Sequence, residues 1–194
     1  MKLKQIITTG IYTAIYFVFV CLGTLLAVLV EHNANMKYAP AFIGLLAGSV
    51  YLLLIAKTQR FGSIFMMSAI MSVFFFLSGH FVLSLVPSLL CGFMADVIAA
   101  IGHYRHKAMN LLSYITFSFG NLAPIVLMWV MRQAYVARLL ARGKSQAYVD
   151  RVMIDFTFGN VAWLALTIVI GALIGGLFGQ YLLDKYIKKA EGLS

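Results

Sequence analysis

QIITTGIYTAIYFVFVCLGTLLAVLV, residues 5–30, is a run of 26 residues without a single Asp, Glu, Lys, Arg or His. The hydrocarbon core of a bilayer, about 30 Å thick, takes roughly 20 such residues of helix. A secretory signal has an apolar region of only about 7–15 residues ending at a small-residue cleavage site. The run is therefore expected to be a retained membrane span, even though Lys2 and Lys4 precede it.

Five more apolar stretches follow, at 39–56, 61–79, 81–102, 108–131 and 156–183. Together the six cover 137 of 194 residues, and Asp96 is the one acid or base of the Asp, Glu, Lys and Arg types inside them. The third and fourth runs are nearly continuous. As one helix they would reach about 63 Å at 1.5 Å per residue, twice the membrane, so Ser78-Gly79-His80 reads as a tight hairpin. The expected fold is a single all-α bundle of six transmembrane helices.

Composition agrees. The chain is 62% hydrophobic and 11% charged, against about 45–50% and about 25% for soluble domains. Those values exclude a soluble globular domain, a disordered chain and a disulfide scaffold. Cys21 and Cys91 both fall in apolar runs without metal-ligand spacing and read as small core residues.

The net charge of +9 would suggest nucleic acid in a soluble domain, but cytoplasmic loops of membrane proteins collect Lys and Arg. With the N-terminus inside, the inner segments hold Lys2, Lys4, Lys57, Arg60, Arg105, Lys107, Lys185, Lys188 and Lys189. The outer loops hold Lys37, Arg132, Arg138, Arg142, Lys144 and Arg151. That bias puts both termini in the cytoplasm. Nucleic acid is not an expected partner.

Five of those outer charges sit in one long segment, 132–155, between the fifth and sixth spans. Tyr135, Val136, Leu139 and Leu140 recur at helical spacing, Gly143-Lys144-Ser145 interrupts, and Tyr148, Val149, Val152 and Met153 resume the pattern. Two short amphipathic helices are predicted. They either lie on lipid phosphates or cover a site, in which case the arginines suggest an anionic ligand.

No catalytic constellation appears, and no enzyme is expected. A nucleotide-binding P-loop would need Gly five residues before Gly143, where Arg138 stands. Buried ionisable groups are costly and mark function in membranes. Asp96 is the one candidate, and its position near Arg105 and Lys107 predicts a structural ion pair, Asp96 with Arg105. His103 and His106 read as a solvated loop, without enough ligands for a metal.

Gly171, Gly175 and Gly179 form a small-residue stripe on the last span, and Gly44 and Gly48 another on the second. Such stripes let helices approach closely. Packing within the chain is the default expectation, and an oligomer interface the alternative. Asn121 and Asn160 lie within spans, and bonding between the fifth and sixth spans would satisfy them. Near the outer mouth, His80, Trp129, Asn160 and Trp163 are candidates for a pocket with aromatic walls and a few polar groups.

The stretch Thr8-Thr9-Gly10-Ile11-Tyr12-Thr13-Ala14-Ile15-Tyr16-Phe17, the six spans and the basic tail Lys185-Tyr186-Ile187-Lys188-Lys189 resemble the substrate-binding S components of energy-coupling factor (ECF) transporters. More narrowly, Ala95-Asp96-Val97-Ile98, Leu139 to Gly143 and Ala147 to Asp150 resemble the Trep_Strep group of S-component-like membrane proteins. The resemblance implies capture of a vitamin or similar micronutrient from outside. A T component and two cytoplasmic ATPases would supply the energy, and this chain would hold no cofactor of its own. It places the substrate in the outer half, which adds His32, Tyr38 and Arg132 to the candidates by position. It also implies docking of the first helix on the T component through Gly10, Ala14 and Val18, in a prokaryotic cytoplasmic membrane. A self-contained carrier or channel, and a small intramembrane enzyme acting on lipids, are the alternatives.

Overall fold

The computed structural model describes residues 3–31, 36–77, 83 and 85–190. Among these the regular structure is helical throughout: α1 Leu3–Glu31, α2 Ala39–Leu46, α3 Gly48–Thr58, α4 Ser63–Leu77, α5 Leu85–Ile101, α6 Lys107–Ser118, α7 Ala123–Val130, α8 Arg132–Ala141, α9 Gln146–Val152 and α10 Phe158–Ala190, with a 3₁₀ turn, Phe119–Leu122, between α6 and α7.

Each of the six apolar stretches is helical, but they are not alike. Among the described residues three helices are long and apolar enough to cross a membrane: Leu3–Glu31, Lys107–Val130 and Phe158–Tyr186. The second stretch passes that test only as the pair α2 and α3, bent by 50° where they meet. The third and fourth are shorter, 15 residues in α4 and 17 in α5. The hairpin expected at Ser78-Gly79-His80 lies outside the described residues.

Local chemistry explains the breaks. Pro40 and Pro124 sit in the first turns of α2 and α7, where a missing N–H costs nothing. The Ser145 hydroxyl caps α9 by accepting from the Tyr148 N–H at 3.3 Å. Gly143 ends α8 at φ +75°, which a residue without Cβ adopts freely. The basic segment is thus the expected pair of short helices, followed by an irregular stretch at 153–157.

The bundle packs α10 on α2 and α3, α1 on α2, α4 on α5, and α5 on α6. Gly171, Gly175 and Gly179 form the seam with α2 and α3. A Cβ at Gly171 or Gly175 would strike the backbone carbonyls of Ala41 or of Gly44 and Leu45, and one at Gly179 would lie 2.9 Å from the Gly48 carbonyl. The stripe is therefore used up inside the chain.

An aromatic centre holds the other helices together. Tyr51 stacks at a tilt on Tyr114 (5.0 Å between centroids) and Phe117 (4.9 Å), and Phe117 meets Tyr16 edge-on at 5.5 Å. All three hydroxyls are bonded. Tyr51 pairs with Ser113 at 2.6 Å, and Tyr114 donates to the Gly44 carbonyl at the α2–α3 break at 2.7 Å. The Tyr16 hydroxyl accepts from the Asn121 amide at 3.2 Å. Buried polar groups in such a core must be paired.

Candidate functional site

Segments of both interrupted helices, α2 and the 3₁₀ turn with α7, contribute to the lining of one cavity. It measures about 300 Å³ and lies between α1, α2, α4, α7 and the α8–α9 hairpin. Val20 and Thr24 of α1, Ile43 of α2 and Phe75 of α4 contribute from the bundle side. Asn121, in the 3₁₀ turn, supplies the amide. Tyr135, Leu139, Tyr148 and Val152 of α8 and α9 form the facing wall. Four apolar positions of the basic segment thus line the cavity, while Leu140, Arg142 and Lys144 are exposed.

No Asp, Glu, Lys, Arg or His is among the described residues that line it. Tyr135 does not supply a charge either. Burial pushes its phenol up, Tyr148 adds to the rise, and Arg142 and Arg138 pull it back only in part. It stays protonated. The Asn121 amide nitrogen is engaged by Tyr16, and its carbonyl has no hydrogen-bond partner among the described residues.

Of the residues expected to bind a ligand, Tyr38, Trp129, Arg132, Asn160 and Trp163 do not line the cavity. Arg132 makes an exposed ion pair with Asp155 at 3.0 Å and does not line the cavity. Trp129 packs edge-on against Phe156 at 5.2 Å and donates its indole N–H to the Ile154 carbonyl at 3.0 Å. Asn160 accepts from Lys37 Nζ at 3.1 Å and donates to the Asp155 carbonyl at 2.9 Å. Trp163 is exposed and donates to the Tyr38 hydroxyl at 3.2 Å. These residues form a clasp around the 153–157 segment and the start of α10, beside the cavity rather than within it. His32 and His80 lie outside the described residues.

The asparagines also differ from expectation. They do not join the fifth and sixth stretches to each other. Asn121 reaches α1 through Tyr16, and Asn160 reaches the α1–α2 connection through Lys37. The Glu31 carboxylate accepts from the backbone N–H groups of Lys37 (3.0 Å) and Tyr38 (2.6 Å) and so pins that connection.

At the opposite end, the expected Asp96–Arg105 ion pair is absent. Asp96 is fully buried and accepts from the backbone N–H groups of Gly62 (2.8 Å) and Phe65 (3.0 Å), and from the Tyr104 hydroxyl (3.0 Å). The carboxylate thus caps α4 from a neighbouring helix, a favourable place for negative charge. Burial and the Asp96 carboxylate together push the Tyr104 phenol up. Arg105 instead reaches Gln59 Oε1, at 3.4 Å from Nε and from Nη2. The ion pair at this end is Lys107 with Asp184.

On α1, Thr9 and Thr13 face the bundle, while Ala14 and Val18 are exposed. A Cβ at Gly10 would meet nothing within 4 Å. The Gly10–Ala14–Val18 face is open. It sits in an exposed apolar surface that also includes Ile7, Ile11, Leu22 and Leu25.

A family model described as "Hypothetical bacterial integral membrane protein (Trep_Strep)" matches residues 3–189. The chain belongs to the Trep_Strep family. No curated protein and no solved structure matches it. Membership explains the outward apolar surface of this Trep_Strep protein, because that surface faces lipid. The cavity residues were only partly legible in the sequence. Pro124, three residues after Asn121, is the signal for a break that the reading of one continuous span passed over; the hairpin's apolar positions followed a helical period. Val20, Thr24 and Phe75 carried no signal, because an apolar residue facing lipid and one facing a cavity read alike.

Proposed function

We propose that this protein is the substrate-specific S component of an ECF-type importer. It captures a vitamin-like micronutrient in the cavity beneath α8–α9, from the extracellular side of a prokaryotic cytoplasmic membrane. A T component and two ATPases deliver the ligand inward. The chain catalyses no reaction and holds no cofactor; ATP is used by the partners. In this reading the six apolar stretches all lie in the membrane and both termini are cytoplasmic, as the Lys and Arg distribution favours.

The observation that carries the proposal is the pairing of a ligand-sized cavity with an unoccupied small-residue face on α1. The 3₁₀ break at Asn121 lines the cavity, and broken membrane helices of this kind are a common place for a substrate site. The lone embedded acid, Asp96, is fully engaged in capping α4, which leaves little means of coupling to an ion gradient. A channel assembled through Gly171, Gly175 and Gly179 is disfavoured, because α2 and α3 already fill that face.

Co-expression with a T component and the two ATPases tests the reading. The expected result is a stable four-subunit complex whose uptake of ligand into proteoliposomes requires ATP. Uphill accumulation by this chain alone, without ATP, would overturn it in favour of a self-contained carrier.

A further inference from the structure

We infer that the cavity selects an uncharged, largely apolar molecule of one or two rings that offers a single N–H or O–H donor to the Asn121 carbonyl. The inference rests on the reading of the cavity as the capture site and narrows its ligand class.

Four observations carry it. The volume of about 300 Å³ lies at the low end of the roughly 300–1,000 Å³ of ligand pockets, which suits one or two rings and leaves no room for a tetrapyrrole. No ionic side chain lines the wall among the described residues, so a buried carboxylate or ammonium would lack the partner that its desolvation demands. Phe75, Tyr135 and Tyr148 give the wall aromatic surface, which favours flat rings. Asn121 is buried, its amide nitrogen is engaged by Tyr16, and its carbonyl has no hydrogen-bond partner among the described residues. The arginines of the hairpin do not alter this selectivity, since Arg132 is paired with Asp155 and Arg138 and Arg142 are not in the wall.

Three matched probes test the inference on the full chain in phosphatidylcholine nanodiscs, read by fluorine NMR: 5-fluoroindole, its N-methyl derivative and 5-fluoroindole-3-carboxylate. Saturable binding of 5-fluoroindole is expected. The N-methyl probe should bind roughly three- to tenfold more weakly, the worth of one net hydrogen bond, and the carboxylate should not saturate. Ile125→Phe, which fills the cavity, should abolish saturable binding. Asn121→Leu should remove the preference for the N–H probe, and the donor-free probe makes the same comparison on the unaltered chain. Equal binding of the N–H and N-methyl probes, tighter binding of the carboxylate, or no saturable binding would overturn the inference. None of these results bears on assembly with a T component, so the S-component reading stands or falls separately.

Discussion

The indole N–H of Trp129 donates to the Ile154 carbonyl across 3.0 Å, tying the end of α7 to the segment that leaves α9. Arg132 and Asp155 close the same junction from outside, but that pair is exposed and contributes on the order of 0–1 kcal/mol. The indole bond is the stronger fastening. Trp129→Phe keeps an aromatic ring against Phe156 and removes the donor together with part of the indole's packing surface. It should cost about 1–3 kcal/mol, the penalty for leaving a carbonyl unpaired, and loosen the hairpin. Trypsin cleavage near Arg142 and Lys144 should accelerate in Trp129→Phe and change little in Arg132→Ala. Equal cleavage rates in wild type and Trp129→Phe would contradict the assignment.

Asp96 offers a second test, because its partners differ from those its sequence neighbourhood suggests. Asp96→Ala orphans the N–H groups of Gly62 and Phe65 and the Tyr104 hydroxyl. The expected loss of stability is at least about 2 kcal/mol, as for a cap combined with a charged hydrogen bond. Arg105→Ala should cost no more than about 0.5 kcal/mol, the scale of an exposed contact. Thermal unfolding in detergent compares the two. Similar losses in both variants would restore the ion pair.

The glycine stripe predicts a contrast between two small substitutions. Gly175→Ala drives a methyl group into the carbonyls of Gly44 and Leu45 on α2. Overpacking of this kind costs roughly 1–3 kcal/mol, so the melting temperature should fall. Gly10→Ala points into open space and should leave the isolated chain unchanged or slightly more stable, since Ala is the better helix former by about 1 kcal/mol.

The open face of α1 separates docking from capture. Ala14→Trp should abolish assembly with the T component, measured by co-purification. The same variant should bind ligand as the wild type does, because Ala14 is exposed and does not line the cavity. Normal complex formation by Ala14→Trp would move the docking face elsewhere.

Much of the architecture could be read directly. Among the described residues all six apolar runs are helical, the Gly143-Lys144-Ser145 break falls between two short amphipathic helices, and the stripe glycines sit where helices touch. Each of these follows from a local rule: apolar length, helical period, or the space a Cβ needs. The site was less legible. Trp129, Asn160 and Trp163 looked like pocket residues because they share a mouth, yet they bond to the carbonyls of Ile154 and Asp155 and to the side chains of Lys37 and Tyr38. The sequence shows that a polar group lies in an apolar run, not which partner reaches it first.

By itself, then, the order of residues decided that this chain is helical and belongs in lipid, since backbone groups in hydrocarbon must be satisfied within their own segment. Only the tertiary arrangement decided that Tyr16 takes one end of Asn121 and leaves the other toward a cavity, and that Asp96 caps α4 rather than meeting Arg105. Those choices depend on distances between segments far apart in the chain. In a low-dielectric interior, hydrogen-bond donors a few ångströms from a buried carboxylate hold it, whatever charges stand near it in sequence.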